Sequence, residues 1–172
     1  MMPKTGRFHF KSRGFTLIEL MVVMLLITIM FAVTIPRLDG AILQDPRKKT
    51  TRWLMSTVSA LRAAAIEKQK SQILVLNLDE NRLWTTDAEM DEKGQSVAAE
   101  KAFALPGGIR IMEVQFPGKK RVGSGNATVV FYPGGYSDQA AINLESGDAE
   151  RFAYRVEPLL PKIKVVEEWI SY

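Results

Sequence analysis

Glu19 is the one charged side chain in a run of 21 residues, Phe15 to Ile35. A lone carboxylate in such a segment costs about 2.5–3.5 kcal/mol on insertion into an apolar phase unless a cation compensates it. Its chemistry is therefore pairing, and catalytic sets are scarce elsewhere. His9 is the single histidine and lies in the basic N-terminal stretch, and there is no cysteine. Imidazole bases, thiolate nucleophiles, disulfides and thiolate zinc sites are thereby excluded from the body of the chain. A Ser-His-Asp set has no histidine to use, and no pair of carboxylates is singled out for hydrolysis. The chain is not read as an enzyme, and no cofactor or metal is expected.

Two charged clusters need weighing. Phe116 to Gly125 is a glycine-flanked loop carrying Lys119, Lys120 and Arg121. It lacks the Gly-x-x-x-x-Gly-Lys-Ser/Thr spacing of a phosphate cradle, although three adjacent cations could touch DNA phosphates without reading sequence. A solvated turn is the preferred reading, and nucleic acid is not an expected partner. Asp87, Glu89, Asp91 and Glu92 supply the oxygen ligands Ca²⁺ prefers, but without the glycine and spacing of a calcium loop. They are read as a solvated acidic segment.

The elements that carry these residues follow from patterning. At about 1.5 Å per residue, Phe15–Ile35 spans roughly 30 Å, the thickness of a bilayer core. Lys4, Arg7, Lys11 and Arg13 precede it with no acidic residue among them, which places that end in the cytoplasm. The run is too long for a secretory signal peptide and ends in Ile35-Pro36-Arg37, not in a small-residue cleavage site. Removing the four leading cations from the 23 Lys and Arg leaves 19, equal to the 19 Asp and Glu. The +4 formal charge therefore gives no argument for a polyanion partner.

Pro36 cannot donate its backbone hydrogen bond and is expected to kink or open the helix, and Asp39-Gly40 weakens it further. Asp45-Pro46 reads as an N-cap with proline at the first helical position, restarting it. Leu54, Val58, Leu61 and Ala65 then form one apolar stripe at helical spacing, widened by Trp53 and Ile66 and flanked by Arg52, Arg62, Glu67 and Lys68. Lys48-Lys49 is read as a solvated or headgroup-proximal face. Beyond Lys70 the pattern becomes strand-like. Residues 73–78 and 82–85 form a hairpin about Asp79-Glu80-Asn81, 86–101 is a polar excursion, and strands are expected at 109–114, 128–132, 140–144, 151–156 and 163–166. Pro106-Gly107-Gly108, Pro133-Gly134-Gly135 and Ser146-Gly147-Asp148 punctuate them as turns. The fold class is α+β, a long N-terminal helix whose second half packs on an antiparallel β domain.

The segment Arg13-Gly14-Phe15-Thr16-Leu17-Ile18-Glu19-Leu20, with the apolar run and Pro36 after it, resembles the processing motif of type IV prepilins and type II secretion pseudopilins. The resemblance implies that a prepilin peptidase cuts between Gly14 and Phe15 and methylates the new amine of Phe15. It also implies that the Glu19 carboxylate pairs with the terminal amine of a neighbouring subunit, and that Pro36 marks a segment able to unwind in a filament. Residues 1–14 would be a cytoplasmic leader that is removed, 15–36 the transmembrane and filament-core helix, 37–70 its amphipathic continuation, and 71–172 a periplasmic β domain.

The body is most similar to the GspH/FimT group of that superfamily. Arg62, Ala65, Ile66, Trp84, Phe131, Pro133, Gly135 and Ser137 sit where the group places them, while Gly134-Gly135-Tyr136 and Pro161 depart from its pattern. Implied partners are other pseudopilins or pilins through helix packing, an inner-membrane assembly platform and membrane lipid, in a bacterial inner membrane with the C-terminal domain periplasmic. The implied function is that of a minor pseudopilin in a type II secretion system. The alternative is a FimT-like minor pilin of pilus biogenesis or DNA uptake, whose DNA contact would fall on Lys119, Lys120 and Arg121.

Overall fold

The computed structural model describes the backbone of residues 15–43, 45–147 and 149–172, and the side chains of the same residues except 31–43. Contacts divide the chain into two units, Met1–Leu43 and Gln44–Tyr172.

The first unit is built on α1, Leu17–Leu43. Thr16 starts it by accepting the Glu19 backbone N–H on Oγ1 at 3.3 Å, the cap half of a Thr-x-x-Glu capping box. The helix continues through Pro36 and through Asp39-Gly40 to Leu43, so those breakers do not end it, and the described break is the extended Asp45 that caps the next helix. The side chain of Pro36 lies outside the described residues. From Phe15 to Met30 every described side chain is exposed. A helix apolar on all sides is stable only when lipid or other helices cover it.

The second unit opens with α2, Pro46–Lys68. Asp45 caps it, its side chain accepting from the Arg47 and Lys48 backbone N–H groups, and Pro46 occupies the first turn. Gln69 ends it in the left-handed region at φ 52°. The stripe Leu54, Val58, Leu61 and Ala65 is buried as its spacing predicts. Two flanking residues exchange places with expectation: Ile66 is half exposed, while Arg62 is buried. Residue 62 lies four positions after Val58 and three before Ala65, which puts it on the buried face itself.

Eight short strands follow: β1 Gln72–Asn77, β2 Arg82–Asp87, β3 Phe103–Ala104, β4 Arg110–Gln115, β5 Asn126–Phe131, β6 Ala140–Glu145, β7 Arg151–Val156 and β8 Lys164–Val166. They form two antiparallel sheets, ordered β3-β2-β1-β5 and β4-β6-β7-β8. The predicted hairpin is present, with Asn77 paired to Arg82 and Asn81 taking φ 53° in the turn. The polar excursion contains a helix, α3 Glu92–Glu100, capped by Asp91 and burying no residue. It lies against β2, and β3 follows it.

Leu74, Leu76, Leu83, Val129 and Phe131 from the first sheet meet Val114, Ile142, Leu144, Phe152 and Tyr154 from the second in one core with the α2 stripe. Trp53 of α2 stacks on Phe103 at 4.5 Å between ring centroids. The α2 helix also reaches the second sheet, where Thr51 Oγ1 lies 2.7 Å from the Tyr154 hydroxyl. Strand β6 is buried on both faces because the segment after β8 crosses it. There Asn143 donates to the Ile170 carbonyl and accepts the Ile170 N–H, and the Trp169 indole donates to the Leu144 carbonyl.

Candidate functional site

The N-terminal site is assembled by a single helical turn. Phe15 is 80% exposed, Thr16 caps, and Glu19 sits in the first turn of α1 with an exposed side chain. A carboxylate there is favoured by the unsatisfied N–H groups of the helix start and points into surroundings that offer it no cation among the described residues. Gly14 and the leader lie outside the described residues. Among the residues whose side chains are described, no helix is long and apolar enough to cross a membrane. In α1 that description runs only from Leu17 to Met30, short of the roughly 20 residues a span needs.

A second constellation is one that sequence patterning missed. The Arg62 guanidinium enters the second unit between α2 and the loops that follow β5 and β7. One terminal nitrogen donates to the carbonyls of Gly135 (3.0 Å) and Pro158 (2.8 Å). The other donates to Ser137 Oγ (3.0 Å) and the Glu157 carbonyl (2.6 Å). The Phe131 ring lies 5.8 Å from the guanidinium carbon. Burial pushes the Arg62 pKa down, yet a guanidinium keeps its proton throughout the working range. Of the residues behind the GspH/FimT resemblance, Arg62, Phe131, Gly135 and Ser137 are thus brought together, and Ile66 would touch any side chain added at Gly135. The arrangement contains no nucleophile–base pair. It is a clamp that fixes two loops to one helix and leaves Tyr136 and Leu159 exposed beside it.

The charged clusters resolve differently. Lys119, Lys120 and Arg121 are all exposed, on a loop closed by reciprocal backbone bonds between Val114 and Val122. Lys119 Nζ lies over the Phe116 ring at 5.7 Å, and Arg121 approaches Glu113 at 3.5 Å. Of the three cations only Arg121 has an ion pair among the described residues, Lys119 is held over an aromatic ring, and Lys120 has neither contact. The acidic residues divide their labour: Asp87 accepts the Glu89 N–H, Asp91 caps α3, and Glu89 pairs with Lys70. No group of three metal-binding side chains occurs among the described residues.

Residues 9–35 match the family model of the prokaryotic N-terminal methylation motif. The fold is similar to two structures of the minor pseudopilin EpsH from the type II secretion system of Vibrio cholerae. One has a TM-score of 0.54 at 10% identity, covering 74% of this chain and 100% of that one. The other has a TM-score of 0.51 at 10% identity, covering 76% and 99%. No curated protein sequence matches the chain significantly.

Proposed function

We propose that this chain is a GspH-like minor pseudopilin of the type IV prepilin and pseudopilin superfamily, a structural subunit of a type II secretion machine. The N-terminal methylation motif and the likeness to the EpsH fold support this reading. The observation that carries it is Glu19, a solvent-facing carboxylate in the first turn of a helix that has no other charged residue up to Ile35, four residues after Phe15.

In this reading a prepilin peptidase cuts between Gly14 and Phe15 and methylates the new amine. Residues 15–36 hold the subunit in the inner membrane, with the β domain on the periplasmic side. During assembly Glu19 neutralises the Phe15 amine of an adjacent subunit, and removing both charges from solvent together lets the helices pack in a filament core. Near the filament tip, with the assembly platform behind it, the subunit contributes to the export of folded proteins. The DNA-capturing alternative gains little from the basic loop, since two of its three cations are engaged within the protein.

Replacing Glu19→Ala is expected to leave leader removal intact and to deplete the subunit from filaments at least ten-fold, an effect of about 1.4 kcal/mol or more. Mass spectrometry of the N-terminus, with recovery of the subunit in sheared or cross-linked filaments, reads both quantities. Normal incorporation of the variant, or a native chain that still carries its leader, would refute this function.

A further inference from the structure

At the N-terminal end of α2 an open groove of about 500 Å³ separates the helix from the edge strand β8. Met55 and Val165 give it an apolar floor, and Lys48 and Arg52 stand on its rim. Arg47 is already engaged, pairing with Glu150 at 2.8 Å and lying over Phe152 at 4.7 Å. Lys48 pairs with Asp45 at 3.5 Å and with no other carboxylate among the described residues. Lys49 and Arg52 are exposed and have no ion pair among the described residues. The groove thus combines an apolar floor with a net positive rim, the complement of an amphipathic anion.

Chain position says which one. At about 1.5 Å per residue, the 27 residues of α1 measure about 40 Å, close to the thickness of a bilayer including its headgroup regions. If Phe15 starts at the cytoplasmic face, Leu43 emerges at the far headgroup layer, and three residues later α2 begins at Pro46 and carries four cations in six positions, Arg47 to Arg52. We propose that this groove binds the headgroup of an anionic phospholipid, with the phosphate between Lys48 and Arg52, Lys49 beside it, and the glycerol carbons against Met55 and Val165. The assignment rests on the membrane insertion proposed above. It gives the domain a seat on the membrane before assembly, which the subunit must leave to enter a filament.

The test uses the processed chain beginning at Phe15, so that the leader cations do not contribute, reconstituted in phosphatidylcholine vesicles with trace spin-labelled lipids. Protection of residues 15–43 from protease reports insertion independently. Phosphatidylglycerol should associate with the inserted protein several-fold more strongly than phosphatidylcholine, roughly five-fold for each cation effectively engaged. The preference should vanish near 0.5 M salt, where screening acts within about 4–5 Å. It should also vanish in Lys48→Gln/Lys49→Gln/Arg52→Gln, and it should survive in Lys48→Arg/Lys49→Arg. These side chains are exposed or at the rim of a groove, so an unchanged urea midpoint confirms that the variants fold. Equal association of the two lipids with an inserted chain overturns the proposal and leaves the pseudopilin reading intact. Binding of soluble glycerol phosphate by an inserted chain that shows no preference for phosphatidylglycerol assigns the groove to free phosphate esters and overturns the lipid. A chain that does not insert overturns the membrane reading and the proposal together.

Discussion

Arg62 shows how one buried cation organises loops distant in sequence. No carboxylate among the described residues neutralises it; instead three carbonyls and a hydroxyl share its charge. Truncation as Arg62→Ala would leave those acceptors unpaired in a dry interior, at a cost of about 3–5 kcal/mol. Arg62→Lys should recover only part of this, because an ammonium cannot span four acceptors with the planar geometry of a guanidinium. Urea unfolding of residues 44–172 measures both. The burial of Arg62 was concealed in the sequence by its own charge, since spacing places it on the apolar stripe while residue type argues for solvent. Ile66 was misassigned by the converse reasoning. Tyr154 gives a pH prediction at the same scale. Burial raises its pKa above 10.0, so the folded state holds the phenol neutral where the unfolded chain ionises it. The stabilisation is complete below pH 10 and is lost as the pH rises beyond it. Thermal midpoints should fall more steeply above pH 10 in the parent chain than in Tyr154→Phe; Tyr132, also raised by burial, is common to both.

Elements were legible where local chemistry encodes them. Asp45-Pro46 announced the start of α2, and Asn81 could take the left-handed turn that joins β1 to β2 because its short polar side chain tolerates that conformation. The α3 helix gave no such signal, because it buries nothing and contains Gly94, leaving Asp91 as its only marker. One close approach was invisible in sequence. Gly107 adopts φ +61°, and a methyl group built there would lie 2.2 Å from Pro46 Cγ. Gly107→Ala therefore strains the backbone and pushes against the first turn of α2. It should cost about 2 kcal/mol, read as a lower urea midpoint, whereas Gly123→Ala, with open space around it, should be nearly neutral.

At the scale of the molecule, strand positions were readable but strand partners were not. The chain leaves the first sheet after β3 for β4, returns for β5, and leaves again for β6. Alternating hydrophobicity marks a strand's buried face and says nothing about which sheet receives it. Because of these crossings neither sheet can be completed alone, and every residue of the described core lies within Gln44–Tyr172. Residues 44–172 are expected to unfold in one cooperative urea transition, with fluorescence and circular dichroism midpoints coinciding; separated midpoints would contradict this. The segment beyond β8 is part of the folded domain, since Asn143 and the Leu144 carbonyl make further hydrogen bonds to Ile170 and Trp169. Such a protein cannot finish folding while it is still being threaded. Until Trp169 and Ile170 have cleared the ribosome, Asn143 and the Leu144 carbonyl lack these partners and that face of the second sheet stays uncovered.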